Sequence, residues 1–387
     1  MGNEKIHIEQ FLALSQNCPV IDVRSPGEYK HAHIPGAYNL PLFTDEERKI
    51  VGTTYKQKSR EAAIKIGLDF FGSKMKKMIE EVESLVYSHE SGVNKTINGS
   101  ELIPTDSRPT LPAGRLTTHD SRTLLIYCWR GGMRSAAIAW LMDLYGYKVY
   151  TLAGGYKKFR NYVLDIFKLP FNFKILGGFT GSGKTEILRS LKQQGENVID
   201  LEEIANHKGS AFGNIGLPQQ PTQEMFENIL ASELRKVPQA SPMGGGLEGA
   251  WLEDESQRIG HVNIPTDLWQ TIRRSPVYFL DVPFEERLKH LEEEYGNLDK
   301  EKMIHAIGRI REKLGGLNAK TAVQLLEDGN ISESFRILLT YYDKYYLKAL
   351  HNREGLNTLL TTINCETVTP ENAGKLAGKR QYHHENH

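Results

Sequence analysis

Cys128 follows the apolar run Leu124-Leu125-Ile126-Tyr127 and precedes a helix-compatible segment, with Trp129-Arg130-Gly131-Gly132-Met133-Arg134-Ser135 between them. A cysteine at such a strand-to-helix turn meets successive backbone N–H groups and the positive end of a helix dipole. Those surroundings favour the thiolate, the nucleophilic form. Arg130 and Arg134 add charge-assisted donors for an oxyanionic substrate, and Gly131, Gly132 and Ser135 complete the loop. The competing reading is a buried structural thiol. Cys18 and Cys365 have no Gly/Arg setting and are given no role.

A second pattern, Gly178-x4-Gly183-Lys184-Thr185, also lies between a strand and a helix and is a full P-loop match. Gly178, Gly181, Ser182 and Gly183 let the backbone N–H groups turn inward around a phosphate chain. Lys184 supplies a point charge, and Thr185 can ligate Mg²⁺. The motif predicts a cradle for a diphosphate or triphosphate and leaves nucleotide hydrolysis and the need for Mg²⁺ open. No metal site is assigned with certainty. The acidic partner of such a loop follows a second strand, and Asp200 or the cluster Glu253, Asp254 and Glu255 are the candidates. Each also reads as a solvated strand-end carboxylate.

The elements that position these residues alternate. Residues 19–23 read as a buried strand, 44–87 as helices with charged faces, 124–127 as a strand and 148–152 as another. The second unit repeats the scheme, with strands at 173–177, near 197–201, at 250–253 and at 277–282. Residues 285–350 read as largely helical. Strand–helix alternation implies an α/β class with parallel sheets. The boundaries expected are 1–165, 170–350 with its helical C-terminal part, and a terminal segment or tail at 351–387. Residues 88–122 and 238–249 are rich in Ser, Gly and Pro and read as loop or disordered insertions.

The chain has 387 residues, with 48 Lys+Arg against 48 Asp+Glu and three cysteines. This excludes a uniformly basic nucleic-acid coat and a disulfide framework, but not a local basic groove. No stretch approaches the roughly 18 uninterrupted apolar residues of a membrane span, and the N-terminus lacks a signal h-region. A cytoplasmic location without membrane association is the expectation.

The stretches IDVRSPGEYKHAHIPGAYNLP and YCWRGGMRSAAIAWLM resemble the two halves of a rhodanese domain, with Asp22 and Arg24 at the family's Asp-Val-Arg positions and Cys128 at its active cysteine. Five residues separate Cys128 from Arg134, where single-domain rhodaneses often have four. A Cys-x5-Arg-Ser loop is also the tyrosine-phosphatase signature, although Tyr127 stands where a phosphatase usually has His. Such a loop suits a phosphate-sized group beside a chalcogen-carrying cysteine, and selenophosphate combines the two.

The fusion of a rhodanese-like domain with a P-loop domain resembles the tRNA 2-selenouridine synthase family. The stretches LPLFTDEERKIVGTTYKQKSREAAIKIG, AGGYKKFR, GGFTGSGKTEIL, DLEEIANHKGSAFG and WLEDESQRIG carry that resemblance, which thins after about residue 300. It implies replacement of sulfur by selenium at C2 of wobble 2-thiouridine in tRNA, through an S-geranyl-2-thiouridine intermediate. Selenophosphate, supplied by a selenophosphate synthetase, and geranyl diphosphate are the implied co-substrates. No cofactor is held tightly, and Cys128 carries the selenium as a selenylsulfide. The rival function is a rhodanese-type sulfurtransferase with a regulatory NTPase domain. Basic clusters at Lys56, Lys58 and Arg60; Lys74, Lys76 and Lys77; Lys157, Lys158 and Arg160; and Arg309, Arg311 and Lys313 are candidates for meeting tRNA, or solvated helix faces.

Overall fold

A computed structural model of the chain describes residues 4–91, 122–238, 249–296 and 298–377. The central parts of both predicted insertions, 92–121 and 239–248, and the tail with Lys379 and Arg380 lie outside the described residues. Two compact units are present, Met1–Leu164 and Asp165–His387. Each is of the α/β class with a parallel sheet, as expected.

The first unit is built on β1 (Glu4–Ile6), β2 (Val20–Asp22), β3 (Tyr38–Asn39), β4 (Thr123–Tyr127) and β5 (Lys148–Leu152), in the order β1-β5-β4-β2-β3. Every pairing is parallel. All five residues of β4 are buried, because helices cover both faces of the sheet and remove any reason for polar alternation. Ile21, Leu124, Ile126, Ile138 and Met142 share a core with Phe71, Met78 and Val82. The helices Arg60–Gly72 and Met75–Ser91 are therefore part of this core rather than an appendage. Local chemistry starts the helices. Ser25 with Glu28 and Thr44 with Glu47 form capping boxes at Pro26–His31 and Asp45–Gln57.

In the second unit β6 (Phe173–Gly178), β7 (Asn197–Ile199), β8 (Ala250–Glu253), β11 (Val277–Asp281) and β12 (Leu360–Asn364) form a parallel sheet, in the order β12-β11-β6-β8-β7. A small antiparallel hairpin joins β9 (Arg258–Ile259) and β10 (Val262–Asn263). The P-loop strand β6 is central. Helices Phe284–Tyr295, Lys300–Arg309, Gly316–Glu327 and Ile331–His351 pack around Leu288, Ile307, Leu326, Phe335 and Leu338, which accounts for the helical stretch anticipated at 285–350.

One expectation is corrected. The described part of the 351–387 segment, to residue 377, is not a separate tail, since β12 pairs with β11 along five residues. Ile363, Ala373 and Leu376 pack in one core with Ile187, Leu188 and Leu280. Only Ile363 of β12 is buried, so this edge strand has almost no apolar signal in the sequence.

Candidate active sites

Cys128 leaves the end of β4 and is 3% exposed. Its Sγ accepts from the Gly132 N–H at 3.3 Å and lies 3.3 Å from Ser135 Oγ, at the start of the helix Met133–Leu144. Burial pushes the thiol up. Hydrogen bonds from the Ser135 hydroxyl and from the Ser135 and Gly132 amides, with the charge of Arg134, outweigh burial and hold it below its ordinary value. Burial pushes Cys18 and Cys365 the other way. The sulfur singled out by its glycine–arginine loop is thus the one poised as a thiolate.

The loop is stapled from below. Tyr156 N–H donates to Cys128 O at 2.8 Å and Lys157 N–H to Trp129 O at 3.0 Å. Backbones cross so closely that a Cβ on Gly155 would sit 2.2 Å from Cys128 O, and Gly131, at φ +64, faces Leu152 O in the same way. Beneath it, Arg24 is 1% exposed and makes a bidentate pair with Asp22, with its guanidinium 3.9 Å from the Tyr156 ring centre. The Asp-Val-Arg residues thus form a buried clamp under the loop.

Arg130 lies exposed beside the cysteine. Arg134 is engaged, its Nη1 donating to Glu28 Oε2 at 2.7 Å. Arg48 Nε reaches the same oxygen at 2.9 Å. Glu28 and Arg48 did not emerge from the sequence as site residues. Their available signals were the Ser25-Pro26-Gly27-Glu28 capping box and the unusual 44–67 stretch, which places a cation on the helix Asp45–Gln57.

At the second site the P-loop turns from β6 into the helix Lys184–Gln193. Gly183, at φ +75, approaches Val368 so closely that a Cβ would lie 2.5 Å from Cγ1. Lys184 Nζ donates to Gly178 O at 3.2 Å. Ser182 Oγ is buried among the loop residues without a protein partner. The loop rests on Arg287, which donates to Thr180 O at 3.1 Å and pairs bidentately with Asp343. Tyr346 Oη accepts from the Gly178 N–H at 3.1 Å.

Among the candidate acids, Glu253 is placed as the partner of the loop. It ends β8, is 1% exposed, and its Oε1 accepts from Thr185 Oγ1 at 3.2 Å, while Oε2 has no partner. Carboxylate oxygens of Glu202, Glu253 and Glu255 lie within 4.8 Å of one another. Burial first, then mutual repulsion with Asp200 and the neighbouring glutamates, pushes the carboxyl of Glu253 up to about 8 and that of Glu202 higher still. This is an all-oxygen donor set, buried at Glu253 and half-buried at Glu202 and Glu255, with an unpartnered carboxylate oxygen on Glu253, and it fits a hard divalent cation such as Mg²⁺. Asp200 caps the helix Leu201–Ala205 through the Glu203 N–H. Asp254 is engaged elsewhere, accepting from Tyr346 at 2.8 Å and Arg353 at 2.6 Å. Glu202, missed in the sequence, sits inside the DLEEIANHKGSAFG stretch.

A family model described as the tRNA 2-selenouridine synthase AAA domain matches residues 171–368, and one described as a rhodanese-like domain matches residues 7–162. A tRNA 2-selenouridine synthase of Hydrogenovibrio crunogenus is 34% identical over 362 residues, covering 86% of this chain and 89% of its own. One of the same name from Bdellovibrio bacteriovorus is 32% identical over 381 residues, covering 87% and 90%. The chain belongs to the tRNA 2-selenouridine synthase family. The family model's match extends to residue 368 and includes β12.

The candidate basic clusters separate in the structure. Lys74 pairs with Glu47 of the helix Asp45–Gln57, and Lys76 and Lys77 lie 3.6 Å from Glu80 and Glu81 on their own helix, so each lysine of that cluster has an acidic neighbour. Lys56 and Lys58 are exposed at the end of the helix Asp45–Gln57. Arg309 donates to Ala211 O and Asn214 Oδ1, and lines an open cleft of about 350 Å³ with Lys302 and His305.

Proposed function

We propose that the chain modifies tRNA by replacing sulfur with selenium at C2 of wobble 2-thiouridine, with selenophosphate from a selenophosphate synthetase as donor and S-geranyl-2-thiouridine as intermediate. The observation that carries this reading is the Cys128 sulfur, 3.3 Å from the Gly132 amide and from the Ser135 hydroxyl and held below the ordinary thiol value. The Cys128 loop holds selenophosphate, whose selenium attacks C2 of S-geranyl-2-thiouridine. The C2–S bond breaks and geranyl thiol leaves. Water then takes the phosphoryl group from selenium as phosphate, so selenium stays at the selenide level throughout. The loop from Gly178 to Thr185 binds the diphosphate of geranyl diphosphate, and its amides and Lys184 stabilise the departing pyrophosphate. This makes chemical sense of the two sites. A thiocarbonyl sulfur leaves poorly, and S-alkylation converts it into a thiol that departs easily.

Thr185, Glu253, Glu202 and Glu255 would hold Mg²⁺ at the second site. When bound, the ion supplies charge neutralisation for the diphosphate. Glu253 also holds the Thr185 hydroxyl, and Arg287 fixes the loop backbone through Thr180.

The test is a mass-spectrometric nucleoside profile of 2-thiouridine-containing tRNA incubated with the protein, selenophosphate, geranyl diphosphate and Mg²⁺. Appearance of 2-selenouridine is the predicted result. Thiosulfate turnover and tRNA-independent ATP hydrolysis, with no selenium in the tRNA, would instead establish the sulfurtransferase with a regulatory NTPase.

A further inference from the structure

The residue directly after the reactive cysteine has a side chain that the anion chemistry does not use. Trp129 is 38% exposed although it borders a thiol that is 3% exposed. An indole has no charge to offer a small, strongly hydrated oxyanion, which is served by amides and guanidinium groups. Its broad apolar face suits a second reactant of a different kind, one that is flat, aromatic and reaches the same loop.

We propose that Trp129 is the stacking platform for the extruded nucleobase that receives selenium at the Cys128 loop, an inference that rests on the tRNA reading above. The ring is braced for that role. Its main-chain carbonyl is fixed by the Lys157 N–H, and its ring centre lies 5.7 Å from that of Tyr156 at an interplanar angle of 38°. Tyr156 is fully buried and is itself backed by the Arg24 guanidinium at 3.9 Å. The column Arg24–Tyr156–Trp129 supports the indole from its buried side and leaves the rest of it in solvent. Met133, 51% exposed at the first turn of the following helix, and exposed Arg130 flank the same loop. A polarizable thioether and a guanidinium plane both favour contact with an unstacked base.

Single-strand recognition works in this way, because every base has a π-face and stacking on an aromatic side chain needs no sequence-specific hydrogen bond. A base whose C2 must meet selenium held in the Cys128 loop has to leave its own stack, and the platform replaces the stacking lost. Trp129 thereby positions the base while the Cys128 loop presents the selenium.

Two readouts test this. The first is tryptophan fluorescence of the full-length protein, titrated with a synthetic anticodon stem-loop carrying 2-thiouridine at the wobble position, or an abasic residue there. The chain has four tryptophans, so the signal is taken as the difference between wild type and Trp129→Phe. Quenching that requires the wobble base and that disappears in Trp129→Phe is expected. The second is selenium incorporation. Trp129→Leu, which stays apolar but loses the ring, should lower kcat/KM for the tRNA by roughly tenfold or more, mainly through KM, and Trp129→Phe should restore most of it. The rate of Cys128 alkylation should be unchanged in both variants, which shows that the loop is intact. Wild-type kcat/KM in Trp129→Leu, or quenching indifferent to the wobble base, overturns the proposal. A wild-type protein that transfers no selenium refutes the functional reading instead, and the fluorescence titration still decides on stacking.

Discussion

A buried thiol ionises easily only if nearby donors outweigh the loss of water, and at Cys128 two amides, one hydroxyl and one arginine do so. Removing the hydroxyl tips that balance. Ser135→Ala should move the midpoint of iodoacetamide alkylation of Cys128 upward by about one pH unit, since a hydrogen bond to a charged group is worth about 1.5–3 kcal/mol. An unchanged midpoint would show that Ser135 does not face the thiolate. Glu28 holds both Arg134 and Arg48 on one oxygen, so Glu28→Gln releases charge next to the anion-binding loop. A changed selenophosphate KM with unchanged alkylation of Cys128 is the expected result, and no change in KM would remove Glu28 from the site. Cys128, Lys184 and Thr185 were legible because each stands in a contiguous motif. Glu28, Arg48 and Glu202 were not, because three-dimensional proximity brings them from segments with ordinary helix-start chemistry.

The helix Arg60–Gly72 and the acid-bearing strand carry their own predictions. Phe71, 3% exposed, packs among the sheet residues of the first unit, so Phe71→Ala should cost about 3–5 kcal/mol of stability, read from denaturant unfolding. A loss below about 1 kcal/mol would show that helix to be peripheral. On β8, burial and the charge of Asp200 raise the Glu253 carboxyl from 4.5 to about 8. Between those values the folded chain keeps a proton that the unfolded chain has lost, so this group's contribution to stability falls as pH rises through that window. Thermal midpoints should therefore decline from pH 5 to pH 8 less steeply in Glu253→Gln than in wild type, and Mg²⁺ should raise the wild-type midpoint more at pH 8 than at pH 6. Equal slopes in the two proteins would contradict the assigned environment. The central strands β4 and β6 announced themselves as short, largely apolar runs followed directly by motifs. The edge strand β12 did not, since its Thr-rich sequence buries one residue and its place is set by pairing with β11.

At the scale of the chain, among the described residues each compact unit carries one of the two candidate sites: the Cys128 loop in Met1–Leu164 and the P-loop with its acids in Asp165–His387. The balanced charge of 48 against 48 leaves nucleic-acid contact to local surface, and the glutamates beside Lys74, Lys76 and Lys77 offset part of the charge of one candidate cluster. In the proposed function the two sites act on different bonds, carbon–sulfur alkylation at the phosphate loop and selenium delivery at the cysteine loop. The most direct check is the nucleoside profile of 2-thiouridine tRNA treated with Cys128→Ser, selenophosphate and geranyl diphosphate. Accumulation of S-geranyl-2-thiouridine without 2-selenouridine is predicted, with Lys184→Ala yielding neither product. Loss of the geranylated nucleoside in Cys128→Ser, or full selenation without the sulfur, would contradict the division of labour.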